Sequence, residues 1–309
     1  MEFLSTKYVM DYVENNPKPM NELGEFVYSR TYSRWLDNKG RREYWHETVK
    51  RTIEFSMAQE YRHVKSLGYK PDLKRLRDEA RELFRNIYDL KQAPSGRSLW
   101  IANANESVNE KFIMGQFNCS FIQVEQWKDL GDVFYALLVG TGVGIRATKK
   151  TARNMPKIRI NTTLEHSEYK PVSPEQRLED TELKLLDNGY AKIYVGDSKE
   201  GWVQALELYL LLLTEPEYEH IHTIKISYNS IRPKGARLKT FGGTASGFEP
   251  LQEMFVGFDN VLKNKIEDHM EPIEADEKGY GQIRPIHILD MANLIGNNVV
   301  VGKQLLCSR

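Results

Sequence analysis

The sequence predicts a mixed α/β chain with a mainly helical N-terminal region. Three observations carry this. Apolar residues recur at helical spacing before residue 93, short alternating apolar–polar runs follow Pro94, and two glycine-rich segments punctuate the second part. A chain of 309 residues can bury a sizeable core in one large or two modest domains. The reading divides it into a helical region, residues 1–92, and an α/β region, residues 93–309.

In the helical region Trp45, Val49, Ile53, Met57 and Tyr61 line one apolar stripe. Leu73, Leu76, Ala80, Leu83, Phe84 and Ile87 line a second, with charges opposite and Pro71 near its start. Such stripes form core. PSGRSLW (Pro94–Trp100) then reads as a turn. FNCSF (Phe117–Phe121) reads as strand, its phenylalanines toward a core and the Cys119 thiol between Asn118 and Ser120. Leu130, Val133, Phe134, Leu137 and Leu138 suit a buried helix leading into Gly140, Gly142 and Gly144. Pro156–Asn161, Ala191–Val195 and His222–Ser227 read as strands, and the polar stretch Thr163–Asp180 as an excursion. Lys199–Leu213 reads as a helix anchored by Trp202, and Pro285–Leu289 and Asn298–Gly302 as strands flanking a helix.

Composition excludes several classes. With 43 basic and 43 acidic residues, no global field favours nucleic acid or an anionic membrane. Two cysteines, Cys119 and Cys307, do not make a disulfide scaffold. The opening residues carry Glu2, Asp11 and Glu14 and no apolar core, unlike a signal peptide, and Leu208–Leu213 is too short to cross a bilayer. A reduced, cytoplasmic, soluble protein is expected. The seven histidines are scattered, without an H-E-x-x-H or Cys/His cluster, so no protein-bound metal is expected.

Two glycine-rich segments and one thiol carry the chemistry. Gly140–Lys150 is neither a Walker loop nor G-x-G-x-x-G, because Ile145 and Arg146 break the first spacing and Gly144 falls a residue early for the second. Its alternating glycines fit a strand that another backbone or a ligand approaches closely, with Gly142 the candidate. Arg146, Lys149, Lys150, Arg153 and Lys157 follow as a basic cluster. Ile231–Gly247 joins Arg232, Lys234, Arg237 and Lys239 to Gly235, Gly242, Gly243 and Gly247, a cationic loop with hinges. Cys119 has no C-x-x-C partner, so any redox partner is distant in sequence.

In this order PSGRSLW, FNCSF, GTGVGIRATK and IRPKGARLKTFGGTASG closely resemble the N-terminal half of the monomeric, adenosylcobalamin-dependent (class II) ribonucleoside-triphosphate reductases, from about Phe26 to Gly302. The resemblance implies the first half of a ten-stranded α/β (thiyl-radical) barrel behind the helical region, with an effector-binding insertion at about residues 160–225. It implies reduction of ribonucleoside triphosphates to 2′-deoxyribonucleoside triphosphates through a cobalamin-initiated thiyl radical, with Cys119 one of two reducing cysteines. Ser95 would meet the substrate phosphates, and Asn118, Ser120 and Gly142 would line the substrate cavity. Arg146, Lys149, Lys150, Arg153, Lys157, Arg232, Lys234, Arg237 and Lys239 would serve a dNTP effector, the loop Ile231–Gly247 coupling it to the substrate base. Adenosylcobalamin would be bound mainly by a C-terminal half or complementary chain, and a thioredoxin-like reductant would restore the thiols. The family continues past this point with a basic VRR-type stretch, whereas here Gly302 is followed by KQLLCSR, and Cys307 matches no family motif. Alone, the chain is therefore expected to be inactive. The alternative is a catalytically incomplete nucleotide-binding regulatory fragment.

Overall fold

The two apolar stripes of the N-terminal region become a pair of packed helices. In the computed structural model, which describes residues 2–103, 113–236, 244–265 and 272–302, the chain divides into two units, Met1–Asn118 and Cys119–Arg309. The first contains α1 (Thr6–Asn15), α2 (Glu22–Thr31), a hairpin of β1 (Trp35–Leu36) and β2 (Arg41–Arg42), α3 (Trp45–Ser66), α4 (Leu73–Tyr88) and α5 (Gly96–Ile101). Helix α4 starts where the Asp72 carboxylate accepts the N–H groups of Lys74 and Arg75, both at 3.0 Å. Trp45, Val49, Ile53 and Met57 of α3 bury against Leu76, Ala80, Phe84 and Ile87 of α4. The Trp45 indole N–H donates to the Tyr88 carbonyl at 3.0 Å, so its polar edge is satisfied inside this core.

The second unit opens with a βαβ crossover: β3 (Cys119–Gln123), α6 (Lys128–Leu138) and β4 (Gly142–Arg146), with β3 and β4 parallel. Next come α7 (Lys149–Asn154), β5 (Ile158–Arg159), β6 (Thr163–His166), β7 (Glu182–Leu186), β8 (Tyr190–Tyr194), α8 (Lys199–Thr214) and β9 (Thr223–Ser227). Four of these strands form a sheet of order β6–β9–β8–β7, in which only β7 runs antiparallel to its neighbour. β8, α8 and β9 make a second crossover, and α8 buries Leu206, Tyr209, Leu210, Leu212 and Leu213. The chain continues through α9 (Glu249–Leu262), β10 (Tyr280–Gly281), which pairs with β5, and α10 (Pro285–Gly302).

Two sequence expectations are corrected here. Pro285–Leu289 and Asn298–Gly302 are not strands but the two ends of the single helix α10. Its described buried positions, His287–Ile288, Met291–Ala292, Ile295 and Asn298–Val299, recur every three or four residues, and that period overrides the local β-branched run at the C-terminal end. The excursion expected at Thr163–Asp180 begins with a strand, since β6 pairs with β9 and completes one side of the sheet. Among the described residues no helix is long and apolar enough to cross a membrane.

Candidate active site

Cys119 opens β3 and lies opposite Gly142 of β4, with Phe121 opposite Gly144 and Gln123 opposite Arg146. Side chains alternate across a strand, so these positions share one face and Ser120, Ile122, Val143 and Ile145 share the other. Ile122, Val143 and Ile145 pack on the core of the second unit. The Cys119 face is open: its thiol is free and exposed, and Phe121 is 65% exposed. Phe117, just before the strand, is 60% exposed. The expectation that Phe117 and Phe121 face a core is therefore wrong. The alternation that presents the thiol necessarily presents residue 121 with it.

A glycine opposite Cys119 means that no side chain of β4 rises beside the sulfur at that register position. Strand β4 enters this register through Gly140, whose φ of 90° lies in the left-handed region. Its N–H bonds the Leu137 carbonyl at 2.9 Å and the Thr141 N–H bonds Ala136 at 3.0 Å, which together close α6 as a Schellman motif. Asn118 is exposed beside the thiol. Ser120 lies on the core face, and its buried hydroxyl has no hydrogen-bond partner among the described residues.

Ser95 lies in the first unit, where it caps α5. Its hydroxyl oxygen accepts the Ser98 N–H at 3.1 Å, which turns the Pro94–Gly96 segment into a helix entry. A Cβ on Gly96 would come within 2.9 Å of the Tyr32 ring, so a larger residue there would displace the cap. The far end of α5 is held by Arg51, which donates to the carbonyls of Leu99, at 2.7 Å, and Ala102.

The basic residues separate into groups. Arg146 ends β4, and Lys149, Lys150 and Arg153 are exposed on α7, which Thr148 caps through the Thr151 N–H at 3.1 Å. Lys157 instead pairs with Asp276 at 3.1 Å. Arg232 is bound to Asp197 at 3.0 Å, and Lys234 is exposed. Arg237 and Lys239 lie outside the described residues. Tyr169 and Asp197 hold the root of the Ile231–Gly247 segment; the sequence marks Asp197 only as part of GDSKEGW (Gly196–Trp202), which resembles the family's insertion, and does not mark Tyr169. The only signal for the role of Asp197 is its place in the turn between a strand and the Ser198-capped helix α8. Among the described residues no cluster of three or more His, Cys, Asp or Glu is placed to hold a metal ion.

Residues 4–104 match the ribonucleotide reductase alpha domain. Residues 168–262, which span β7, β8, α8, β9 and α9, match the insertion domain of B12-dependent ribonucleotide reductase. Both matching models describe ribonucleotide reductase domains. It is 29% identical to an adenosylcobalamin-dependent ribonucleoside-triphosphate reductase of Lactobacillus helveticus, over 95% of this chain and 41% of the relative. It is 31% identical to the enzyme of the same description from Levilactobacillus brevis, over 91% of this chain and 39% of that one. A crystal structure of a B12-dependent (class II) ribonucleotide reductase superposes with a TM-score of 0.77 at 26% identity, covering 97% of this chain and 43% of that chain. The chain thus spans about 40% of the length of the curated relatives it matches.

Proposed function

We propose that the chain forms one part of an adenosylcobalamin-dependent ribonucleoside-triphosphate reductase. It would contribute a reducing cysteine, substrate contacts and a deoxynucleotide effector site. The observation that carries the reading is the exposed Cys119 thiol at the head of β3, opposite side-chain-free Gly142, in a chain matched by the B12-dependent insertion domain. The conversion balances with two thiols. The substrate's C2′–O bond breaks and a C2′–H bond forms, water departs, and two thiols become one disulfide, supplying two electrons and two protons. Cys119 is one of the two. Its partner comes from polypeptide outside the described residues, and a thioredoxin-like dithiol restores both by exchange.

β3 and β4 belong, in this reading, to the first half of a ten-stranded α/β barrel. Ser95 keeps its cap while turning its own O–H toward a substrate phosphate oxygen, and Asn118 and Gly142 line the ribose side, whereas Ser120, expected there from the sequence, faces the core behind the strand. Arg146, Lys149, Lys150 and Arg153 receive the triphosphate of a dNTP effector, with Lys157, Arg232, Lys234, Arg237 and Lys239 at its margin. Ile231–Gly247 couples effector to substrate base. Adenosylcobalamin supplies the initiating radical in this chemistry. A cavity of about 890 Å³ is lined by Arg75, Asp78, Glu79, Arg81, Glu82 and Arg85 among others, and these charged walls do not fit a corrin, whose face needs apolar ones. In this reading the cofactor is bound mainly by polypeptide beyond the described residues.

Two measurements test the reading. The 309-residue chain with adenosylcobalamin, a dithiol and ATP should form no deoxynucleotide. It should bind dATP with a Kd on the order of micromolar, about −8 kcal/mol, and lose affinity in the Lys149→Ala, Lys150→Ala double variant. Deoxynucleotide from the chain alone, or dATP binding indifferent to both lysines, contradicts the proposal.

A further inference from the structure

Both ends of the cationic segment Ile231–Gly247 are gripped by one side chain. Tyr169 donates its hydroxyl to the Ile231 carbonyl at 2.8 Å and stacks its ring on Phe248 with centroids 4.2 Å apart and planes at 22°. Asp197 makes a second grip. Its carboxylate accepts the main-chain N–H of Arg232 at 3.1 Å and the Arg232 Nε–H at 3.0 Å to each oxygen. Arg232 returns a bond to the Asp197 carbonyl at 3.3 Å, and Arg177 stands 3.6 Å from the same carboxylate. The Asp197 side chain is only 12% exposed, so water competes little for these contacts. The two arms of the segment also pair with each other, Gly235 N–H to Ala245 O at 2.9 Å and Ala245 N–H to Ala236 O at 2.7 Å.

Tyr169, Arg177 and Asp197 come from outside the segment, and they and the segment alike lie within the residues matched by the insertion domain. Asp197 is itself fixed in the turn after β8 by its N–H bond to the Leu178 carbonyl at 2.7 Å. A displacement of that turn therefore moves the segment's root with it. We propose that Tyr169 and Asp197 are positioning residues that anchor the two stems, residues 231–236 and 244–248, to the stretch between β6 and β7 and to the turn after β8, so that these elements set how the stems are held. This rests on the reading of the segment as the coupling element between effector and substrate. The anchoring and the coupling are separable. Asn at 197 keeps the shape of the carboxylate but loses its charge toward two guanidinium groups, while Phe at 169 keeps the ring stack and loses the hydroxyl bond.

Amide hydrogen exchange on the full 309-residue chain tests this. In Asp197→Asn, exchange at residues 231–236 and 244–248 should rise roughly tenfold or more, the scale of losing a charge-assisted set of bonds. Peptides from α8, residues 203–213, should keep the wild-type rate. Tyr169→Phe should give a smaller rise centred on residues 231–236. Unchanged exchange at both stems in both variants overturns the proposal. So does equal acceleration in α8, which would make Asp197 a general support of the unit. dATP added to the wild-type chain separates the two claims. If the variants loosen the stems while dATP alters exchange nowhere in residues 231–248, the anchoring stands and the coupling reading falls.

Discussion

Glu43 and Arg51 show how much one buried pair organises. The Glu43 side chain is 4% exposed and that of Arg51 11%, with Nε and Oε1 2.7 Å apart. Thr48 donates to the same carboxylate at 2.7 Å, and the remaining Arg51 donors reach the end of α5. Removing one partner strands the other charge away from water. Glu43→Gln should therefore cost about 3–5 kcal/mol in urea unfolding, and it should loosen the Ser95 segment through Arg51. Cys119→Ser, at an exposed position, should change stability by no more than about 0.5 kcal/mol. Cys119 was legible in the sequence because a cysteine framed by Asn118, Ser120 and two phenylalanines is unusual in itself. The roles of Tyr169 and Asp197 were not, because their partners lie 62 and 35 residues away, and GDSKEGW marks Asp197 only as part of the insertion.

Helices and strands differ in how openly they announce themselves. The α3 and α4 stripes are long and one-sided, so their period can be read directly. α10 is apolar on more than one side, and its short β-branched end imitates a strand. This helix also carries a pH-sensitive contact. His287 is 2% exposed, and its Nδ1 accepts the Arg284 N–H at 3.1 Å, which requires that nitrogen to be unprotonated. Burial, with Arg284 adding to it, holds the ring down to about 4. The unfolded histidine titrates near the usual ~6.5. The folded state thus refuses a proton that the unfolded state takes, so this stability is present above about pH 6.5 and is lost as pH falls toward 4. Up to roughly 3 kcal/mol should disappear across that window in chemical unfolding, and His287→Gln should flatten the dependence. Glu207 of α8 works in the opposite direction. Burial, with Asp132 nearby, raises its carboxyl while Lys128 opposes the shift. Its contribution is greatest when protonated and falls as pH rises through its folded value, so Glu207→Gln should stabilise the chain at pH 7, read as a higher urea midpoint than the wild type's.

The described residues form two hydrophobic clusters. One draws on residues from Phe3 to Leu99 and the other on residues from Val124 to Val299. Each unit thus buries its own apolar surface, and residues 1–118 produced alone should melt in one cooperative transition. A gradual, non-cooperative melt would contradict that. The change of texture at Pro94 is plain in the sequence. The attachment of Pro94–Trp100 to the first unit is not, because it depends on Arg51 reaching carbonyls 48 and 51 residues away. Strand closure is equally hidden, since pairing between distant strands leaves no periodic trace. Parallel strands are ordinarily covered on both faces, yet β3 and β4 turn Phe121 into water beside the thiol. The practical outcome concerns colloidal behaviour. Two molecules that meet at this strip each remove an aromatic ring from solvent, so light scattering from the purified chain should climb with protein concentration, and Phe121→Ser should move the onset to higher concentration.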